Sequence, residues 1–146
     1  MKTGIAILVV SESSLQLSLT IAKHLPGSNL YSSFESIFTD TIPSIATFLK
    51  EHFNRFEAFV FVGSLGICVR SIAPFITDKH TDPAIVNIDS TGKYIVSVLS
   101  GHIGGANSLT KQIARITGGQ AVITTQSDNT DLWALDTLGK TYQWKE

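Results

Sequence analysis

Apolar residues along the chain gather in short runs separated by stretches of helical period, and this alternation predicts an α/β fold. Residues 5–11 open with Ile5-Ala6-Ile7-Leu8-Val9-Val10, an unbroken apolar run of the kind found in strands covered on both faces of a parallel sheet. A helix is predicted over 13–25. Leu15, Leu19 and Ala22 line one flank of it and Leu17, Ile21 and Leu25 the other, leaving Gln16, Thr20 and Lys23 to solvent, and Pro26-Gly27 stops it. A short strand near 28–32 follows. Pro43 then opens a second helix in which Ile45, Phe48, Leu49 and His52 recur at helical spacing, before the strand Ala58-Phe59-Val60-Phe61-Val62.

Beyond Val62 the sequence Gly63-Ser64-Leu65-Gly66-Ile67-Cys68-Val69-Arg70-Ser71-Ile72-Ala73-Pro74 reads as a glycine turn leading into a short apolar helix, and the polar loop Asp78-Lys79-His80-Thr81-Asp82-Pro83 comes next. Strands at 84–89 and 94–99 are joined by Ser90-Thr91-Gly92-Lys93, and four residues suffice only for an antiparallel reversal. From 105 to 117 Ala106, Leu109, Ile113 and Ile116 share one helix face, and Gly118-Gly119 separates this helix from a strand at 120–125. A last short helix is expected at 131–139. The predicted class is therefore α/β: a mixed, mainly parallel open sheet with helices on both faces and one antiparallel hairpin at about 84–99. No repeat or low-complexity linker divides the chain, so 1–146 is expected to be one α/β domain.

Composition narrows the function. With 146 residues, 43% of them apolar and 16% charged, the chain can build one proper core and is too short for two ordinary domains. No apolar run approaches the roughly 20 residues that span a bilayer, and Ser11-Glu12-Ser13-Ser14 reads as a helix start rather than a cleavage site. A cytoplasmic protein without membrane contact is expected. Eleven basic residues against twelve acidic ones leave a net charge of −1, which argues against nucleic acid as a partner. An anionic ligand must then be held locally, by loop amides, helix N-termini and a few cations. The lone Cys68 permits no intrachain disulfide and reads as a core residue, while His24, His52, His80 and His102 are scattered, so no protein-bound metal is expected.

Three loops carry the candidate chemistry: 63–66 after the strand 58–62, 100–105 after the hairpin, and Thr124-Thr125-Gln126-Ser127-Asp128 after the strand 120–125. Ligands of open α/β sheets bind where loops leave the C-terminal ends of parallel strands, so these loops converge if their strands run parallel. Gly63 and Gly66, with Ser64, either serve a tight turn or let amides approach a ligand; neither the dinucleotide fingerprint nor the P-loop lysine is present. Gly101, Gly104 and Gly105 around His102, introduced by Ser100, are more special residues than turn geometry requires. His102 can act as general base, as donor to a carboxylate or as an axial metal ligand, or it can merely cap structure. Arg70 can orient a carboxylate or form a surface salt bridge, and Asp78, Lys79 and Asp82 can line a site or be a solvated charge cluster. Asn107 can reach a ligand or cap backbone, Asp82-Pro83 reads as a turn, and Thr124, Thr125 and Asp128 can present hydroxyls and a carboxylate to the same edge.

Taken in order, residues 63–74, Asp78-Lys79, Asp82-Pro83-Ala84, the string Ser100-Gly101-His102-Ile103-Gly104-Gly105-Ala106-Asn107, and Val122-Ile123-Thr124-Thr125 with Asp128 resemble the CbiG family of anaerobic cobalamin biosynthesis. The resemblance covers about residues 58–130. It implies cobalt-precorrin-5A hydrolase activity: opening of a δ-lactone on the corrinoid ring with loss of acetaldehyde, giving cobalt-precorrin-5B. The cobalt belongs to the substrate, so no cofactor is expected. On this resemblance His102 or Asp128 activates water, loop amides stabilise the oxyanion, and Arg70 and Lys79 hold peripheral carboxylates. Gly63, Ser64, Gly66, Ser100, Gly101, Gly104, Gly105, Asn107, Thr124 and Thr125 complete the expected binding set. Members of the family usually continue into a further C-terminal domain, so that domain or another pathway enzyme is the expected protein partner. The alternative is a corrinoid-binding or docking module without the complete catalytic set.

Overall fold

The computed structural model describes residues 2–125, which build a seven-stranded sheet with helices on both faces. The strands are β1 (Ile5–Val9), β2 (Ser28–Ser32), β3 (Asp40–Thr41), β4 (Ala58–Val62), β5 (Ala84–Ile88), β6 (Tyr94–Leu99) and β7 (Gln120–Val122), in the spatial order β3-β2-β1-β4-β5-β6-β7. The helices are α1 (Leu15–Lys23), α2 (Ile45–His52), α3 (Leu65–Ile72) and α4 (Ala106–Thr117). The expected class is thus observed. The helix predicted at 131–139 lies outside the described residues.

Alternation along the strands divides the core into two layers. Ile7, Val9, Val60, Val62, Val86 and Ile88 point to the face where Ile21, Leu25, Leu109 and Ile113 of the α1 and α4 side cover them. Ala6, Leu8, Phe59, Phe61 and Ile85 point the other way, against Phe48, Leu49, Phe53, Cys68 and Ile72 of the α2 and α3 side. β4 and β5 are buried at every position, which explains the uninterrupted apolar run of β4 and the apolar residues on either side of Asn87 in β5. Ser44 and Ser64 start α2 and α3 by accepting the amide hydrogens of Thr47 and Ile67 at 3.0 and 3.3 Å.

Several boundaries differ from expectation for identifiable reasons. The predicted helix 13–25 begins with a 3-10 turn at Glu12–Ser14 and ends at Lys23. β3 has only the polar pair Asp40 and Thr41, a length at which no apolar period exists to be read, and it pairs parallel to β2. β7 stops at Val122 rather than 125. Its partner β6 takes up the extra residue Val98, between Ser97 facing Val86 and Leu99 facing Ile85, and the ladder to β7 ends at Val96, two residues before that irregularity.

Strand direction has the largest consequence for function. β1, β2, β3, β4 and β5 run parallel, β6 runs antiparallel to β5, and β7 runs parallel to β6. The loops after β6 and β7 therefore leave the sheet at the edge where β5 begins, opposite to the loop after β4.

Candidate functional site

The expected convergence of three loops is corrected by this topology: two converge and the third does not. Gly63 leaves β4 beside the exit of β5, where its amide donates to Ile88 O at 2.8 Å and its carbonyl accepts from Asn87 Nδ2 at 3.2 Å. Ser100 leaves β6 beside the entry of β5, where its hydroxyl donates to Asp82 O at 3.2 Å. Asp82 and Ile88 are six residues apart on an extended segment, so the two loops are separated by about 20 Å. Gly63, Ser64 and Gly66 occupy the first edge, and Arg70 lies exposed in the last turn of the helix that starts there. Ser100, Gly101, His102, Gly104, Gly105, Asn107, Thr124 and Thr125 share the second edge, joined by Lys79 on the adjoining loop. Asp128 lies outside the described residues.

The loop 100–105 is a tight reversal held at its base. Ser100 adopts φ 60°, a left-handed conformation that costs a residue with a side chain and persists only where its surroundings enforce it. The enforcement is visible: Ser100 O accepts from Ala106 N at 3.1 Å, and Gly101 O from Asn107 N at 3.0 Å. The chain doubles back so closely that a Cβ on Gly104 would stand 2.5 Å from Ser100 Cβ and 2.9 Å from Ser100 O. Gly105, at φ 88°, turns the chain into α4. Among the described residues, the amides of Ile103, Gly104 and Gly105 meet no acceptor, and they precede the positive end of a twelve-residue helix. His102 and Ile103 form the exposed crest, Ile103 with 61% of its surface open.

Asn107 ties this loop to two strands. It is buried, it accepts from Ser97 Oγ at 2.7 Å through Oδ1, and it donates through Nδ2 to Thr125 Oγ1 at 2.8 Å. One side chain thus joins β6, the start of α4 and the chain leaving β7. That contact also shows why Thr125 sits outside the sheet.

The adjoining loop is organised by Asp82, which is 4% exposed. Its carboxylate accepts from Thr77 N, Thr77 Oγ1 and Asp78 N at 3.0 to 3.2 Å. Thr81 N and Asp82 N both donate to Asp78 O, closing one turn with Lys79 and His80 exposed at its tip. Lys2 Nζ donates to Thr81 O from below. Asp82 is therefore neither a solvated charge nor only a turn residue.

Sequence reasoning named Asp82 only as a site-lining or solvated charge and a turn residue, gave Ile103 no role, and passed over Ser97 and Thr77. Ser97 carried a signal, because it shares a strand face with the buried Ile95 and a polar group there needs a partner. Cys68 is buried against the sheet, and burial pushes its thiol up to about 12, as befits a core residue. Among the described residues no cluster of His, Cys, Asp or Glu could hold a metal ion, and no helix is long and apolar enough to cross a membrane. A groove of about 520 Å3 lies away from the His102 loop, between 91–94 and 118–120. It adjoins the carbonyl end of α4, and the amides of Gly118, Gly119 and Gln120 are already bonded, so it is poorly suited to an anion.

Fold and site together define a mixed α/β domain that presents a preformed glycine loop, rich in unpaired amides, at one sheet edge. The chain belongs to the cobalamin synthesis G N-terminal family, whose model matches residues 47–128. It is similar to the cobalt-precorrin-5A hydrolase of Salmonella typhimurium, with 47% identity over 89 residues, or 61% of this chain and 25% of that protein. The enzyme of the same description from Priestia megaterium is 45% identical over 101 residues, 69% of this chain and 27% of its own length. The chain thus spans about a quarter of the curated relatives it matches. A crystal structure of a cobalamin biosynthesis protein G homolog from Sulfolobus solfataricus superposes with a TM-score of 0.68 at 26% identity, covering 90% of this chain and 40% of that one.

Proposed function

We propose that this chain serves cobalamin biosynthesis by opening the δ-lactone of cobalt-precorrin-5A, with loss of acetaldehyde to give cobalt-precorrin-5B, at the edge built from residues 100–107. The observation that carries the reading is the strained loop itself: three amides without acceptors, a histidine and an apolar residue at the crest, all on one short segment. Such a surface suits a flat macrocycle with a carboxylate rim and a carbonyl that becomes an oxyanion. In the proposed reaction His102 takes a proton from water as the water oxygen bonds to the lactone carbonyl carbon, with Asp128 as the other candidate base. The amides of residues 103–105 stabilise the oxyanion. Collapse breaks the ring C–O bond, and the departing alkoxide takes up a proton. Loss of the proton from that alcohol then accompanies carbon–carbon cleavage, which releases acetaldehyde and leaves the electron pair on the macrocycle.

Lys79 is the proposed holder of a peripheral carboxylate, since its loop is joined to Ser100 through Asp82. Thr124 and Thr125 belong to the same edge, whereas Gly63, Ser64, Gly66 and Arg70 stand about 20 Å away and take no part in holding the lactone. The alternative reading is a corrinoid-binding or docking module without the complete catalytic set. Acetaldehyde release from cobalt-precorrin-5A by the purified chain decides between them, and binding without release selects the module. Where there is turnover, His102→Ala is expected to slow it at least a hundredfold, within the usual contribution of acid–base catalysis. A wild-type rate in that variant removes His102 from the mechanism.

A further inference from the structure

We infer that Asn107 and Gly101 are positioning residues: they form, with Ser97 and Thr125, a four-part clamp that holds the His102 loop in its working shape, and they do not touch the ligand. This inference rests on the reading of residues 100–107 as the binding edge, and it divides that motif into a part that shapes and a part that contacts. The clamp is closed on every side. Asn107 Oδ1 receives the Ser97 hydroxyl at 2.7 Å, Nδ2 reaches Thr125 Oγ1 at 2.8 Å, and the Asn107 amide hydrogen goes to Gly101 O at 3.0 Å. Both heteroatoms of the carboxamide are thereby engaged inside the protein, and the residue is 6% exposed. Gly101 is fitted to the same group: a Cβ there would stand 2.8 Å from Asn107 Oδ1 and 2.9 Å from Thr125 Cγ2. Glycine at 101 is therefore required by the clamp, while glycine at 104 is required by Ser100, a separate contact in the same loop.

This arrangement explains why a polar carboxamide is buried at the first turn of α4. Asparagine offers one acceptor and two donors on a single planar group, so it can bond a strand on one side and the segment after β7 on the other. Leucine, of similar size, offers neither the acceptor for Ser97 nor the hydrogen for Thr125. The clamp holds the Ser100 end of the loop and the Thr125 segment to one point, so the crest residues His102 and Ile103 are preset before any ligand arrives, which lowers the ordering cost of binding.

The test uses the full chain, a cobalt corrin with free peripheral carboxylates (cobyrinic acid) as binding probe, and amide NMR spectra. Asn107→Leu is expected to move or broaden the resonances of residues 101–105, leave those of β1 and β4 in place, and weaken the probe at least tenfold. Gly101→Ala should do the same, and adding Thr125→Ser, which removes one of the two close obstructions, Thr125 Cγ2, and keeps the hydroxyl, should recover part of the lost affinity, at least twofold, with the approach to Asn107 Oδ1 remaining. The same Thr125→Ser change should give no recovery to Gly104→Ala, whose obstruction is Ser100. General destabilisation would not separate the two glycines in this way. Wild-type loop spectra in Asn107→Leu, or equal recovery of both alanine variants, overturns the clamp. If the wild-type chain fails to bind the probe while its loop responds as described, the functional reading fails and the clamp stands.

Discussion

Replacing Asp82 by alanine measures how much of the site's second wall depends on one buried carboxylate. Three donors converge on it, namely Thr77 N, Thr77 Oγ1 and Asp78 N, all at 3.0 to 3.2 Å. Hydrogen bonds to a charged partner contribute about 1.5 to 3 kcal/mol each, so a simple sum would approach 5 kcal/mol or more. Thr77 and Asp78 are exposed, however, and water can take up their released N–H and O–H groups, which roughly halves the loss. The expected cost is thus about 2 to 4 kcal/mol, in the lower half of that range because the loop can relax. For a chain of this size it corresponds to a fall in Tm of roughly 5 to 10 °C. Asp82→Asn keeps an acceptor but turns an NH2 toward a backbone amide, and should lose about half as much. Urea unfolding followed by circular dichroism gives both values from the midpoint at constant m. A loss below about 0.5 kcal/mol in the alanine variant would refute the reasoning, because it would mean that the 77–82 loop is held by its own turn and not by the carboxylate. If the proposed corrinoid site is correct, the same variants should also weaken binding there, because the main-chain carbonyl of residue 82, which both substitutions keep, meets Ser100 Oγ only while the 77–82 loop stays in place.

Other residues give independent checks. Burial pushes the Cys68 thiol up to about 12 from 9.0, so near pH 8 the native protein carries on the order of a thousandfold less thiolate there than a free cysteine. A thiol reagent should therefore modify Cys68 only after urea unfolds the chain, and rapid labelling of the folded form would place the side chain elsewhere. Asp89 closes the turn between β5 and β6: slight burial pushes its carboxyl up, but bonds from the Thr91 side chain and from the amides of Tyr94, Thr91 and Lys93 outweigh this and hold it below 3.8. A group depressed in the folded state stabilises above its unfolded value and loses that contribution as pH falls through the folded one. Acid titration of stability should accordingly show a component below about pH 4 that is missing in Asp89→Asn, and identical acid profiles would count against the turn geometry.

Long elements with a clear period were legible from sequence: residues 58–62, 94–99 and the helix from 106 to 117 were all found within a residue of their bounds. Two kinds of feature were not. β3 is two polar residues paired to a neighbour, and pairing leaves no trace in a hydrophobic pattern. Asp82 looked like a charged loop residue because its donors are backbone groups and a threonine hydroxyl five residues away, not a cation that a charge pattern would reveal.

The convergence of the loops is a different case, because the sequence contained the answer. Four residues between the strands at 84–89 and 94–99 force an antiparallel pair, and once β6 runs against β5, every loop leaving β6, or leaving a strand parallel to it, emerges where β5 enters. α4 connects β6 to β7 as a crossover, so β7 keeps the direction of β6 and brings Thr124 and Thr125 to the same edge as His102. The hairpin thus does more than add strands to the sheet. It moves the glycine loop to the edge opposite that of the parallel strands' exits, and sets it beside the loop that Asp82 organises. The motif around Gly63 stays behind at the usual ligand edge of the parallel half. A domain with strands of both directions has two candidate edges, and here the reversal at 90–93 separates the glycine motif of residues 100–105 from that of residues 63–66.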